Sequence, residues 1–172
     1  MADKNADRIS VVPGLKVDYQ GIFDLSDLYK KTKAWMNYEG YGDENSNFLE
    51  TKYIERIKPF GKQIEIKWFG EKIVNEYISY FITVEYTGIG IKDTEVTFEG
   101  RKIKMNSGHA IITIKADLIL NRQGKWEKDS ILKRLHDRRL FRKYIEDYRD
   151  DLMDKATSLF TEIKAYFNLH QF

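Results

Sequence analysis

The sequence predicts an α+β fold in which a curved antiparallel sheet of about six to seven strands packs on one long C-terminal helix. Three observations predict it. Apolar residues recur at helical spacing between Leu25 and Met36, at every second position over much of Leu49 to Leu120, and again at helical spacing from Phe141 onward. Short turn-forming stretches join the middle segments, so neighbours in sequence become paired neighbours in the sheet. The final stripe runs through about seven turns, on the order of 40 Å, enough to span a globule of this size and cover one face of the sheet.

Each element follows from its own residues. Residues 1–14 carry mixed charge without periodicity and end at Val12-Pro13-Gly14, which reads as a flexible leader before one domain over 15–172. Leu15, Val17 and Tyr19 alternate with Lys16, Asp18 and Gln20, the pattern of a short strand with one buried face. A helix comes next, with both ends marked. Asp24 can cap the first-turn amides, Asp27 adds negative charge at the positive end of the dipole, and Phe23 and Leu28 stand at staple positions. Gly40 can supply the left-handed residue that stops the helix, with Tyr41 folding back on Met36.

After a polar loop, Leu49, Tyr53 and Ile57 share a strand face that Glu55 interrupts, and Ile64, Ile66 and Trp68 define the next strand beyond the Pro59-Phe-Gly61 turn. The longest strand is expected from Ile73 to Thr87, with Ile78, Tyr80, Ile82, Val84 and Tyr86 on one face and Tyr77 and Phe81 on the other. Val96 and Phe98 lead into Glu99-Gly100, and Ile103 and Met105 into Asn106-Ser-Gly108; both read as hairpin turns between short strands. Alternation from Ala110 to Leu120 gives the last strand. From Ser130 to Leu169 the pattern is helical, with Asp137, Arg138 and Arg139 interrupting its apolar stripe, so a bend or a separate short helix is expected there.

Composition narrows the chemistry. With 172 residues, 42% of them hydrophobic, and two prolines, the chain has the apolar content to fold alone. It has no cysteine, which removes disulfides, thiolate metal sites and cysteine nucleophiles. The formal charge of +2 is too small to argue for nucleic acid, and no run nears the roughly 18 apolar residues of a membrane helix, so a soluble cytoplasmic protein is expected.

The order strand, helix, antiparallel strands, long helix is similar to the helix-grip arrangement of the START and polyketide-cyclase-like (SRPBCC) superfamily. That resemblance implies a curved sheet wrapped on a C-terminal helix, with an apolar cavity between them in many members. Locally, Ile64-Glu-Ile-Lys-Trp68, Gly90-Ile-Lys-Asp93 and Lys104-Met-Asn-Ser-Gly108 resemble segments of a family of small archaeal proteins of no established activity. That second resemblance implies a fold and a lineage and no chemistry.

No catalytic constellation stands out. His109, His136 and His170 are scattered without paired carboxylates at ligand spacing, so neither a metal nor a cofactor is expected. Gly88-Ile-Gly90 lacks the third glycine and following helix of a phosphate turn and fits a strand kink. Glu55 is an acid on an apolar face, a position that an edge residue explains. Ser107 and Ser130 fit a turn and a helix start.

Two binding surfaces remain as candidates. Lys133, Arg134, Arg138, Arg139, Arg142 and Lys143 face the single acid Asp137 and precede the acid-rich Glu146 to Asp154, the reverse of what a helix dipole favours. Either a helix break with pairs such as Arg142 to Glu146 accounts for this, or the run binds an acidic protein, nucleic acid or anionic lipid. Trp35, Trp68, Tyr80 and Tyr86, on facing stripes of helix and sheet, either fill an ordinary core or line a pocket for a hydrophobic small molecule. The expected function is that of a non-catalytic binding domain using the basic run, with a carrier of a hydrophobic molecule or lipid as the alternative.

Overall fold

The computed structural model describes residues 6–41, 49–98, 100–125 and 142–169. In chain order these form β1 (Asp7–Phe23), α1 (Leu25–Tyr38), β2 (Leu49–Lys58), β3 (Gly61–Ile73), β4 (Ile78–Phe98), β5 (Arg101–Leu120) and α2 (Arg142–Leu169). All strand pairs are antiparallel and the sheet order is β1-β5-β4-β3-β2, so the first strand closes on the last. The class is α+β as expected. The sheet has five strands rather than six or seven, because segments that read as separate short strands are continuous.

The glycines explain the difference. Asn106-Ser-Gly108 is not a hairpin; it lies inside β5, opposite a register shift between Ile89 and Lys92 of β4. A Cβ on Gly108 would stand 2.8 Å from Ile91 Cδ1 and 3.0 Å from the Gly90 carbonyl oxygen, and Gly90 itself has φ +64°. The bare backbone therefore lets two long strands kink against each other where a side chain would force them apart. Glu99-Gly100 does join β4 to β5, with Gly100 at φ +76°.

Two boundaries also move. The expected strand Ile73–Thr87 is divided by a turn in which Asn75 Oδ1 accepts from the Tyr77 and Ile78 amides, both at 2.8 Å. Ile73 therefore ends β3 and Ile78 begins β4. β1 begins at Asp7, so residues 7–14, expected as leader, belong to an edge strand. Pro13 and Gly14 fall between the paired positions Val12 and Leu15, in a register shift where a missing amide costs no ladder bond.

One face of the sheet carries the core. In register, Trp68, Val84, Ile114 and Leu15 form one row across four strands, and Ile66, Tyr86, Ile112 and Val17 form the next. α2 lays Leu152, Ala156, Leu159, Ile163, Tyr166 and Phe167 on this face, with Ile145 and Tyr148 half-buried at its start. Each fully buried aliphatic side chain here stabilises by about 1.5–3 kcal/mol. On the opposite face the charges pair across strands: Glu85 accepts from Lys67 at 2.7 Å and Lys115 at 3.1 Å, and Glu65 takes Lys52 and Arg56. Phe81 lies there half-buried beneath the Arg8 guanidinium at 4.6 Å, and Arg8 pairs with Asp117.

α1 has the ends its sequence encodes. Asp24 caps through its side chain to the Asp27 amide at 3.0 Å. At the other end the Tyr41 amide donates to Met36 O at 2.8 Å and the Gly40 amide to Asn37 O at 3.0 Å, a Schellman pair around Gly40 at φ +81°. Gly70 on β3 makes room for this end: a Cβ there would lie 2.5 Å from Met36 Cε and 2.9 Å from Tyr41 Cβ.

Candidate functional site

α1 and α2 lie side by side over the sheet, antiparallel, and single polar contacts fasten them at both ends. Tyr166 Oη donates to the Asp24 carbonyl at 2.8 Å near the start of α1, and Lys155 Nζ donates to Glu39 Oε2 at 2.7 Å beyond its end. Between these fastenings the helices part. The gap is a groove of about 420 Å³ whose walls include Leu28, Thr32 and Trp35 of α1 and Leu159, Ile163 and Tyr166 of α2. Lys31, Ala34 and Tyr38 on one side and Glu162 on the other complete it. The walls are mostly apolar because the two helical stripes that bury against the sheet also turn partly toward each other.

Charges at the groove are already partnered. Lys31 Nζ lies 2.9 Å from Asp27 Oδ2 and 5.0 Å above the Tyr166 ring. Tyr166 is held as a phenol, since burial pushes its ionisation up and Asp27 and Asp24 add to the effect. Such a groove can hold an apolar molecule; it offers no nucleophile beside a base.

Below the groove lies an aromatic group set by strand register. Trp68 packs edge-on between Tyr29 at 4.6 Å and Tyr86 at 5.2 Å. Glu50 Oε2 accepts from both Trp68 Nε1 and Tyr29 Oη at 2.8 Å, and burial together with this carboxylate pushes the Tyr29 phenol up to about 12. Tyr86 differs. It is 4% exposed, its hydroxyl adjoins Thr32, and it makes no hydrogen bond of acceptable geometry among the described residues. Thr32 gives its own proton to the Leu28 carbonyl at 2.9 Å. Burial pushes Tyr86 ionisation up, and the nearby Thr32 hydroxyl offsets only part of that.

A second polar group fastens the far end. Tyr80 Oη donates to Asp151 Oδ2 at 2.8 Å, and burial, reinforced by that carboxylate, pushes its ionisation up. The Glu39 carboxylate holds the Lys155 ammonium above its usual range. Tyr41, stacked on Trp35 at 6.2 Å, is fully buried beside this group and its hydroxyl also lacks a partner among the described residues.

The four aromatic residues expected to line a pocket are therefore all buried in the same interior but do not share one cavity wall. Trp35 lines the groove; Trp68 and Tyr86 lie beneath it, and Tyr80 belongs to the polar group at its end. Leu28, Thr32, Leu159 and Ile163 line the groove too, and in sequence they are indistinguishable from ordinary helix stripes.

Of the basic run, Lys133, Arg134, Arg138 and Arg139 lie outside the described residues. Arg142 and Lys143 are exposed in the first turn of α2, and Arg142 Nε pairs with Glu146 Oε1 at 3.2 Å. His109 lies 2.5 Å from Asp18 on the outer face, while His136, His170 and Ser130 fall outside the described residues. Ser107 sits within β5 rather than in a turn, and Glu55 pairs with Lys62 at 3.3 Å at the sheet edge. No group of three or more His, Asp or Glu that could hold a metal occurs among the described residues. No protein-family model matches this chain, and no curated protein matches it.

Proposed function

We propose that this chain is a non-catalytic binding protein of the helix-grip type that carries a hydrophobic small molecule between α1 and α2. One observation carries the reading: the helices are fastened at both ends by polar contacts, yet between them an apolar groove of about 420 Å³ remains. That volume suits a molecule of about 15 to 25 non-hydrogen atoms, within the usual range of small-molecule pockets. Packed interiors close such gaps when nothing needs them, because each unfilled contact forfeits dispersion energy.

Blocking the groove tests this. Ala34 is an exposed groove residue on α1, so Ala34→Trp fills the space without disturbing the core. Diphenylmethane or benzophenone, titrated by calorimetry, should bind the wild type and lose at least about tenfold in affinity in A34W, with helix stability changed by less than about 1 kcal/mol. Undiminished binding in A34W, or none in the wild type, refutes the carrier reading.

A second reading rests on the start of α2. Its first turn holds Arg142 and Lys143 and no acid, where the helix dipole disfavours cations. An anionic partner at Lys133 to Lys143, an acidic protein, nucleic acid or anionic lipid surface, would offset that cost.

A further inference from the structure

Resting on the carrier reading, the chemistry of Tyr86 narrows what the groove accepts. Its neighbours in the aromatic group are satisfied: Trp68 and Tyr29 both donate to Glu50. Tyr86 Oη is enclosed to the same depth with no hydrogen bond among the described residues. A buried hydroxyl without a partner forfeits about 1–3 kcal/mol. The strand register fixes it there, since Tyr86 stands between Ile66 and Ile112 on the inner face and cannot turn to solvent without reversing β4.

The hydroxyl adjoins Thr32, and Thr32 lines the groove, so the phenol lies one side chain below the groove wall. Thr32 has spent its proton on the Leu28 carbonyl, which leaves Tyr86 as the available donor at this point. Because burial disfavours its ionised form, Tyr86 remains an O–H donor at neutral pH and does not become an acceptor for a cation.

The walls exclude a charged ligand. Lys31 is committed to Asp27 and to the Tyr166 ring, and Glu162 on the opposite wall would repel an anion. A carboxylate placed among Trp35, Leu159 and Ile163 would lose its hydration without a cationic partner. A pure hydrocarbon would leave the phenol as unsatisfied as before.

We infer that the ligand is a neutral, largely apolar molecule carrying a carbonyl- or ether-type oxygen, and that the Tyr86 phenol donates the hydrogen bond that holds this oxygen. Benzophenone and diphenylmethane test it as a pair, because they differ chiefly by one acceptor oxygen. Tyr86→Phe removes the hydroxyl and leaves the ring, its contact with Trp68 and the strand register unchanged, so the variant should fold as the wild type does.

In calorimetric titrations of the full chain, Y86F should bind benzophenone about three- to tenfold more weakly than the wild type does and diphenylmethane equally well. Equal affinity of Y86F and wild type for benzophenone, or an equal loss for both compounds, overturns the assignment of Tyr86 while leaving the carrier reading in place. Failure of the wild type to bind either compound overturns both. A benzophenone loss that persists when A34W blocks the groove would place the oxygen elsewhere and also overturn the assignment.

Discussion

Gly70→Ala is a sharp test of how α1 is seated. A methyl at this position on β3 would meet Met36 Cε at 2.5 Å, Tyr41 Cβ at 2.9 Å and the Tyr41 carbonyl oxygen at 3.1 Å. The first contact is cheap, because a methionine end can swing away. The other two are not. Tyr41 is held by its amide bond to Met36 and by burial beneath Trp35, so it can yield only if the whole end of α1 lifts. Restoring an ordinary separation requires a shift of roughly half an ångström. Overpacking of this kind costs about 1–3 kcal/mol. Urea unfolding should show a lower midpoint at unchanged slope, and the melting temperature should fall by about 2–4 °C per kcal/mol. Met36→Ala in the G70A background should recover little of the loss, because the rigid contact is with Tyr41. A G70A variant within about 0.5 kcal/mol of the wild type would refute the close seating of α1 on β3, and with it the groove geometry.

Two further predictions concern charge. The Lys67 ammonium, and after it Lys115, holds the Glu85 carboxyl below its usual value of 4.5, so its stabilising contribution is present above that value and disappears as pH falls through the depressed one. Glu85→Gln should therefore lower the urea midpoint modestly at pH 7 and flatten its decline below about pH 4.5; parallel pH profiles for variant and wild type would contradict this. Reversing Arg138, Arg139 and Arg142 to Glu should make the protein elute from heparin at lower salt with unchanged melting, whereas an unchanged elution position would remove the basic run as an anion surface.

What was legible in the sequence was what depends on near neighbours. The ends of α1 were readable because Asp24, Gly40 and Tyr41 act within one helical turn, and the stripe of α2 because its period repeats over many turns. The boundaries of β3, β4 and β5 were not, because the same residue types serve turns and kinks. Asn106-Ser-Gly108 resembles a hairpin until Gly90 and Ile91 are known to lie across from Gly108. Asn75, between the strand-favouring Ile73, Val74 and Tyr77, hides a turn made by its own side chain. The aromatic residues Trp35, Trp68, Tyr80 and Tyr86 were placed correctly in the interior, since alternation and helical spacing put them on inward faces. That the groove lies between the helices rather than between helix and sheet depends on Gly70, Tyr166 and Lys155, whose partners are distant in the chain.

The pairing of β1 with β5 also sets an order in time. Arg8 and Asp117 are 109 positions apart, so during synthesis at about 5 to 20 residues per second the opening strand waits on the order of 5 to 20 s for its neighbour. Over that interval Val11, Val12 and Val17 have no sheet to join, and the β2-to-β4 meander can assemble without them. The ribosome thus delivers the keystone last, and the nascent chain must keep its first ribbon soluble until then.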